Sequence, residues 1–235
     1  MEIVIRVFLF IILLYSFAYS TVFGSSFYKI KDIDRVKKRF VHIMLPVIEA
    51  ENNKILKERE FIENTLKKNI FLINSSNISK LIKLQKKYKI SKLYDLKSYL
   101  KRIDIIPSSL ALSQAALESG WGKSRFVKEA NNLFGQWTYS GVGIVPEQRD
   151  EGATHRIRVF RDLEDSVANY MLNLNIGWAY SEFRKKRLEL REKDEVLDGF
   201  TLSETMLLYS IQGQTYVNNI KRVMAINDLE RYDYR

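Results

Sequence analysis

Apolar residues recur at intervals of three and four along most of this chain, a spacing that predicts helices. Residues 29–106 follow that pattern, rich in charge and nearly free of glycine, with Pro46 marking a helix start or a kink. The stretch FLINSSNIS, residues 71–79, interrupts it, and Ser79 is placed to cap a helix carrying Leu81, Leu84, Gln85 and Tyr88. Pro107, Ser108 and Ser109 open the next helix, a serine hydroxyl being expected to accept an orphan backbone N–H. Leu110, Ser113, Gln114 and Leu117 line one face of it, and Gly120 ends it. In residues 137–160 the texture changes to glycine, threonine and alternation such as Arg156-Ile157-Arg158-Val159, which reads as a short hairpin turning near Asp150, Glu151 and Gly152. Asp162 and Asp165 start another helix as in a capping box, and Val167, Tyr170, Met171 and Leu174 carry its stripe to Gly177. Two last helices are expected over residues 203–211 and 215–229, separated at Gly213, the second with Tyr216, Ile220 and Val223 on one face. One hairpin among many helices makes the fold class α+β, mainly helical.

The first residues decide the expected compartment. Residues 1–20, MEIVIRVFLFIILLYSFAYS, set a lone Arg6 before an apolar run ending in the small residues Ala18 and Ser20. This reads as a secretory signal peptide, with an uncleaved signal anchor, and so membrane anchoring through residues 1–20, as the alternative. Either way the working part is expected outside the cytoplasm, in the periplasm or cell envelope. The rest of the 235 residues divides into a helical extension, residues 29–106, and a domain over residues 107–231, enough for one core of ordinary size.

Composition narrows the chemistry. With no cysteine there is no disulfide, thiol nucleophile or thiolate metal site, and the two histidines, His42 and His155, stand far apart in the sequence. Chemistry without metal or cofactor is therefore expected. The net charge of +10, concentrated in runs such as RVKKRF and KLQKKYK, suits an anionic partner or simply solvated helix faces. No aromatic-interleaved basic ladder accompanies it, so nucleic acid is not an expected partner.

The candidate chemistry centres on Glu118, in the last turn of the helix that ends at Gly120. Unpaired carbonyls make the potential negative there, and Leu117 and Trp121 add desolvation, so the carboxyl pKa should rise, as a general acid requires. The competing reading is a solvated glutamate, or one accepting the N–H groups of the glycine turn.

The block ALESGWGKSRFVKEANNLFGQW, residues 116–137, resembles the core motif of glycoside hydrolase family 73, the N-acetylglucosaminidases that cut peptidoglycan. The wider pattern, from RFVHIMLPVIEAENNKIL to GIVPEQRDEGATHRIRVFRDLEDSVANYMLNLN, is similar to the Bax-like branch of that family, over about residues 40–228. A small β-hairpin lobe and a monomer are expected; the resemblance implies a lysozyme-like fold, acting on peptidoglycan glycan strands, with Glu118 as general acid. It implies an acidic residue on the hairpin as the second group: Glu147 is favoured over Asp150 and Glu151, because it precedes the expected turn. A nucleophile would sit about 5 Å from the acid and a water-activating base about 6.5–9.5 Å away, while a neighbouring 2-acetamido oxygen could replace either.

Tyr216, in QTYVNNIKRV, resembles a family tyrosine that lies beside the scissile sugar; the alternative is a core tyrosine packed with Ile220 and Val223. Trp137, Phe134 and Tyr139 are candidates for stacking on sugar rings, while Trp121 is assigned to the core. Asn132 belongs to the same candidate substrate-binding segment, its amide expected to pin the loop, and Gly135 to permit a backbone angle that other residues resist. Arg156 and Arg158 suit anionic peptide stems or a solvated strand face. The expected activity is an endo-β-N-acetylglucosaminidase; the rivals are a lytic transglycosylase and a wall-binding protein without turnover.

Overall fold

A 34-residue helix frames the molecule in the computed structural model, which describes residues 23–67, 74–140, 142–146, 152 and 154–233. The apolar N-terminal run and the hairpin carboxylates Glu147, Asp150 and Glu151 lie outside the described residues. After a single turn, α1 (Ser25–Tyr28), helix α2 (Ile33–Leu66) starts at Asp32, whose carboxylate accepts the Arg35 N–H at 2.7 Å. Pro46 lies inside α2 and does not begin it. Val36, Phe40, Met44, Ile48, Ile55 and Ile62 are buried at spacings of four and seven, so one stripe of α2 faces inward along its whole length.

Helix α3 (Ser75–Lys87) is capped by Asn74, which accepts the Asn77 N–H at 2.9 Å. Ser79 is therefore a helical residue, its hydroxyl turned to the Ser75 carbonyl, and not the expected cap. Helices α4 (Leu96–Arg102), α5 (Ser108–Ser119) and α6 (Arg125–Ala130) follow. Strands β1 (Trp137–Thr138) and β2 (Arg156–Ile157) pair antiparallel, Trp137 opposite Ile157 and Thr138 opposite Arg156. Beyond them come α7 (Leu163–Ile176), the 3-10 turn Trp178–Tyr180, α8 (Ser181–Glu192), α9 (Gly199–Ser203), α10 (Gln214–Ile226) and a final 3-10 turn, Glu230–Tyr232. Asp162 caps α7 as expected, accepting the Asp165 N–H at 2.8 Å. The expected helix over residues 203–211 is instead the end of α9 followed by turns, with Met206 buried and Leu207, Leu208 and Ile211 exposed. Among the described residues no helix is long and apolar enough to cross a membrane.

Helix α5 is the buried centre. Ser108 to Ala116 are all buried, and their small side chains let α2, α9 and α10 pack directly on it. The helices of residues 29–106 share this core, since Phe40, Met44 and Ile48 join the same cluster as Leu110, Met171 and Ile220.

The chain enters α5 through a segment held from three sides. Arg187, 0% exposed, donates to the carbonyls of Lys101, Asp104 and Ile105 and to Asn175 Oδ1, at 2.7–3.2 Å. Arg191 grips the Asp104 carboxylate with two bonds, at 3.1 and 2.9 Å, and Arg59 reaches the Leu100 and Ile103 carbonyls at 2.7 and 2.8 Å. Burial alone would raise the Asp104 carboxyl, but Arg187, Arg191 and Arg59 together hold its pKa below the usual range. Burial lowers Arg187 to about 10, so it stays charged at neutral pH. Asn52 completes the clamp, its amide bonding both the carbonyl and the N–H of Ile106, at 2.8 and 3.0 Å.

The start of α5 is capped from far away in the sequence. No local hydroxyl accepts its first N–H groups. Instead Asp233 accepts the Ser109 N–H, the Ser109 hydroxyl and the Gly199 N–H, each at 2.8 Å. Gly199 comes so near that a Cβ there would sit 2.7 Å from the Leu110 nitrogen and collide with the Ser109 hydroxyl. Asp233→Ala should lose about 1–3 kcal/mol of stability through unpaired donors, and Gly199→Ala more, because backbone must move; urea midpoints at unchanged m-value would measure both.

Candidate active site

Glu118 sits where the buried helix meets the surface. Gly120 adopts φ +55°, Trp121 +57° and Gly122 +78°, a left-handed turn that stops α5 abruptly. The N–H groups of that turn are already satisfied: Trp121 donates to the Ala116 carbonyl at 2.8 Å and Gly122 to the Ser119 hydroxyl at 2.8 Å. The Glu118 carboxylate is thus not the acceptor for the turn. Trp121 turns away into the core, edge-on to Phe40 at 5.5 Å between ring centres, as its assignment required.

A polarised chain of hydrogen bonds reaches the acid from the interior. The Tyr170 hydroxyl donates to Gln114 Oε1 at 2.6 Å, Gln114 Nε2 donates to the Tyr216 oxygen at 3.1 Å, and the Tyr216 hydroxyl donates to Glu118 Oε1 at 2.7 Å. Burial, with the Glu118 charge beside it, keeps the Tyr216 phenol far above its ordinary value, so it remains a donor at any physiological pH. The other carboxyl oxygen faces Gly135: a Cβ built there would lie 3.7 Å from Glu118 Oε2, and the glycine has φ +63°. The loop backbone therefore approaches the acid closely, by the angle expected of Gly135.

Glu118 leaves much of its surface open to solvent, yet its carboxyl rests against protein. Burial among these neighbours raises its pKa above the usual carboxylate range, while the Tyr216 bond, which favours the ionised form, opposes the rise. Tyr209 stacks on Tyr216 at 5.3 Å and 8°, and Tyr180 lies 6.0 Å from Tyr209. The phenols of Tyr180 and Tyr209 are pushed up mainly by burial and also by the Glu118 charge, which places both beside the acid. Neither tyrosine is marked by the periodicity, because one sits in a 3-10 turn and the other in irregular turns. Gln114 and Tyr170 lie on their expected helix faces, but the bond that links them carries no local signal.

The other candidates separate into core and surface. Trp137 and Tyr139 are 56% and 73% exposed, at the head of the hairpin, with His155 stacked on Trp137 at 4.4 Å. Phe134 departs from its expected role: it is 4% exposed and stacked on Tyr170 at 3.9 Å and 3°, so its ring supports the hydrogen-bond chain and offers no face to a sugar. Asn132, 1% exposed, donates to the carbonyls of Gln136 and Arg158, both at 2.8 Å, and accepts the Gln136 N–H at 2.9 Å. Its amide ties the loop to the hairpin. Arg156 donates to the Gly143 carbonyl at 3.3 Å and Arg158 to Asn169 Oδ1 at 3.3 Å. Glu147 lies outside the described residues, and no other carboxylate among them contributes to the pKa of Glu118. Among the described residues no three His, Asp or Glu side chains gather as a metal site.

An acid whose pKa is raised by burial, held by a phenol and approached by the loop that leads to the exposed Trp137 and Tyr139, is an arrangement suited to protonating a sugar oxygen. Comparison with known proteins agrees in class. Residues 94–229 match the family described as mannosyl-glycoprotein endo-beta-N-acetylglucosaminidase. Protein bax of Escherichia coli (strain K12) is 30% identical over 187 residues, covering 77% of this chain and 66% of that protein, so the chain spans just under two thirds of that relative. The crystal structure of the catalytic domain of the autolysin Auto from Listeria monocytogenes is similar at 18% identity and a TM-score of 0.40, over 74% of this chain and 88% of that one. The chain belongs to the glucosaminidase family of glycoside hydrolases, family 73, in its Bax-like branch.

The electrostatics make a prediction independent of turnover. Because the folded pKa of Glu118 is raised, its ionisation opposes folding: the contribution is fully favourable below the unfolded carboxylate value and is lost as pH rises through the folded one. Glu118→Gln should therefore be at least as stable as the parent at pH 7, and Tyr216→Phe should move the Glu118 carbon resonance to a higher titration midpoint in NMR.

Proposed function

We propose that this protein is an exported endo-β-N-acetylglucosaminidase that hydrolyses the β-1,4 bond after N-acetylglucosamine in peptidoglycan. The observation that carries the reading is the Glu118 carboxyl, raised in pKa by burial and bonded to Tyr216, at the open end of α5. In the reaction the Glu118 proton passes to the glycosidic oxygen as the C1–O bond breaks. A water hydroxyl then adds at C1, and the remaining water proton returns to the Glu118 carboxylate. Tyr216 keeps the carboxyl in one rotamer and stabilises it once the proton has left. Glu147 on the hairpin is the residue proposed for the opposite face of the sugar, with the substrate's own acetamido oxygen as the alternative. The family match supports an N-acetylglucosaminidase, and the resemblance of residues 116–137 to the family's core motif supports peptidoglycan as its substrate. The net charge of +10 suits an anionic wall, raising encounter rates in a manner that salt weakens.

A specific observation keeps a second reading in view. The Tyr216-held Glu118 carboxyl is a single acid at the end of α5, and a lytic transglycosylase also works with a single acid.

Digestion of purified peptidoglycan, with product ends identified by mass spectrometry, decides between them. New N-acetylglucosamine reducing ends are expected, with activity falling as pH rises through the Glu118 pKa and reduced by about 10²–10⁴-fold in Glu118→Gln. Anhydro-muramic ends would move the assignment to a transglycosylase, and retained activity in Glu118→Gln would remove the acid from its role. High salt should weaken binding to whole walls more than cleavage of a short soluble glycan.

A further inference from the structure

The turn that presents Glu118 contains a residue that resists its shape. Trp121 holds φ +57° between Gly120 and Gly122, a left-handed conformation that a bulky residue adopts only where its neighbours hold it there. Local bonds account for part of the hold, since the Trp121 and Gly122 N–H groups donate to the Ala116 carbonyl and the Ser119 hydroxyl. The rest comes from the first described residues of the chain.

Phe23 lies across the turn. A Cβ built on Gly122 would sit 2.9 Å from Phe23 Cζ and within 3.2 Å of both neighbouring ring carbons, so the ring covers this glycine directly. Phe23 is 3% exposed; it stacks on Phe40 at 5.8 Å and 7°, and meets the Phe27 ring at 4.4 Å. Phe40 in turn takes the edge of Trp121, so Trp121 and Gly122 rest on one aromatic cluster. The next residue reaches back to the same segment. Lys123 Nζ donates to the carbonyls of Phe27 and Ile30, at 2.7 and 3.1 Å, and lies 4.8 Å from the centre of the Phe27 ring. Its backbone N–H donates to the Gly120 carbonyl at 3.2 Å, so Lys123 ties the turn at one end and residues 27–30 at the other. Residues 23–30 lie outside residues 94–229, the span that matches the glucosaminidase family.

We propose that residues 23–30 are a strap that positions the acid: Phe23 and Lys123 hold the left-handed turn, and through it fix the last turn of α5 and the direction of the Glu118 carboxylate toward Tyr216. Both are positioning residues, because their contacts are with the turn and the strap and not with the carboxyl. Trp121, released from the cluster, would leave the left-handed region. Glu118, in the helical turn just before it, would then lose the one placement in which the Tyr216 hydroxyl reaches it at 2.7 Å. The active unit therefore includes the chain that directly follows the apolar N-terminal run, and a domain cut at residue 107 lacks part of the support of its acid. For its catalytic consequence this inference rests on the glucosaminidase reading; the positioning itself is measured without turnover.

The test uses the full-length chain, with the Glu118 carboxyl carbon titrated by NMR and kcat and KM measured in parallel on a soluble peptidoglycan fragment. Tyr216→Phe moves the Glu118 midpoint upward in the parent; in Phe23→Ala and in Lys123→Met that displacement should fall below about half, because the bond it removes is already loosened. In each variant kcat should drop on the order of tenfold with KM nearly unchanged, and the drop should not add to that of Tyr216→Phe. Phe23→Leu, which keeps apolar bulk over Gly122, should restore most of both signals. Lys123→Met alters a partly exposed side chain and serves if Phe23→Ala does not fold. Ile62→Ala, a buried deletion about 33 Å beyond Phe40 along α2, controls for lost stability and should change neither signal. An unchanged displacement in the folded variants, additive losses in kcat, or equal effects from Ile62→Ala would overturn the strap. Cleavage by the parent with an unchanged displacement rejects the strap alone; a diminished displacement with no cleavage by the parent rejects the glucosaminidase reading alone.

Discussion

A helix buried on every side cannot satisfy its ends with water, and α5 is such a helix. Its first N–H groups are answered by Asp233 from the other end of the chain, and its last turn is closed by three consecutive left-handed residues. Both devices demand tertiary contact. The segment that feeds the helix is clamped by Arg187, Arg191, Arg59 and Asn52, so α5 enters its slot with little freedom in depth or rotation. Glu118, one residue before the end of the helix, inherits that definition and is delivered to the surface at one place.

The same burial explains the electrostatics. Small side chains at Ser113, Ala115 and Ala116 let neighbouring helices close in, which brings Tyr170, Gln114 and Tyr216 into a dry line leading to the carboxyl. Low dielectric makes each bond in that line stronger and its polarity fixed, since the phenols do not ionise. Two opposing influences then act on Glu118: desolvation favours the neutral acid and the Tyr216 donor favours the anion. The general-acid role proposed for Glu118, giving up a proton and later recovering it, would be served by both.

The hairpin side of the cleft is organised by different means. Two strands of two residues each have little stability of their own, and the loop before them is held by the side-chain amides of Asn131 and Asn132. Phe134 anchors the loop by stacking on Tyr170, so the same ring pair joins the loop to the hydrogen-bond chain. Only then can Gly135 approach the acid and Gln136 and Trp137 face α7. The helices of residues 29–106 contribute Phe40 and its neighbours to the core beneath Trp121, which makes them part of the support for the turn after Glu118.

The sequence by itself determined the mainly helical class, the ends of α5 and α7 at Gly120 and Gly177, the place of the hairpin, and a Glu118 carboxyl in a position that raises its pKa. These are local properties: a 3.6-residue period, a glycine stop and a carboxyl at a helix end are all written within one or two turns of chain. Only the tertiary structure decided that Tyr216, 98 residues away, donates to that carboxyl, that Phe134 is core while Trp137 is surface, and that Tyr180 and Tyr209 wall the site. Only it showed that Asp233 does the capping that a nearby serine was expected to do. Periodicity reports which face of an element is buried and is silent on what buries it, so partners brought together from distant parts of the chain become visible only once the helices have packed.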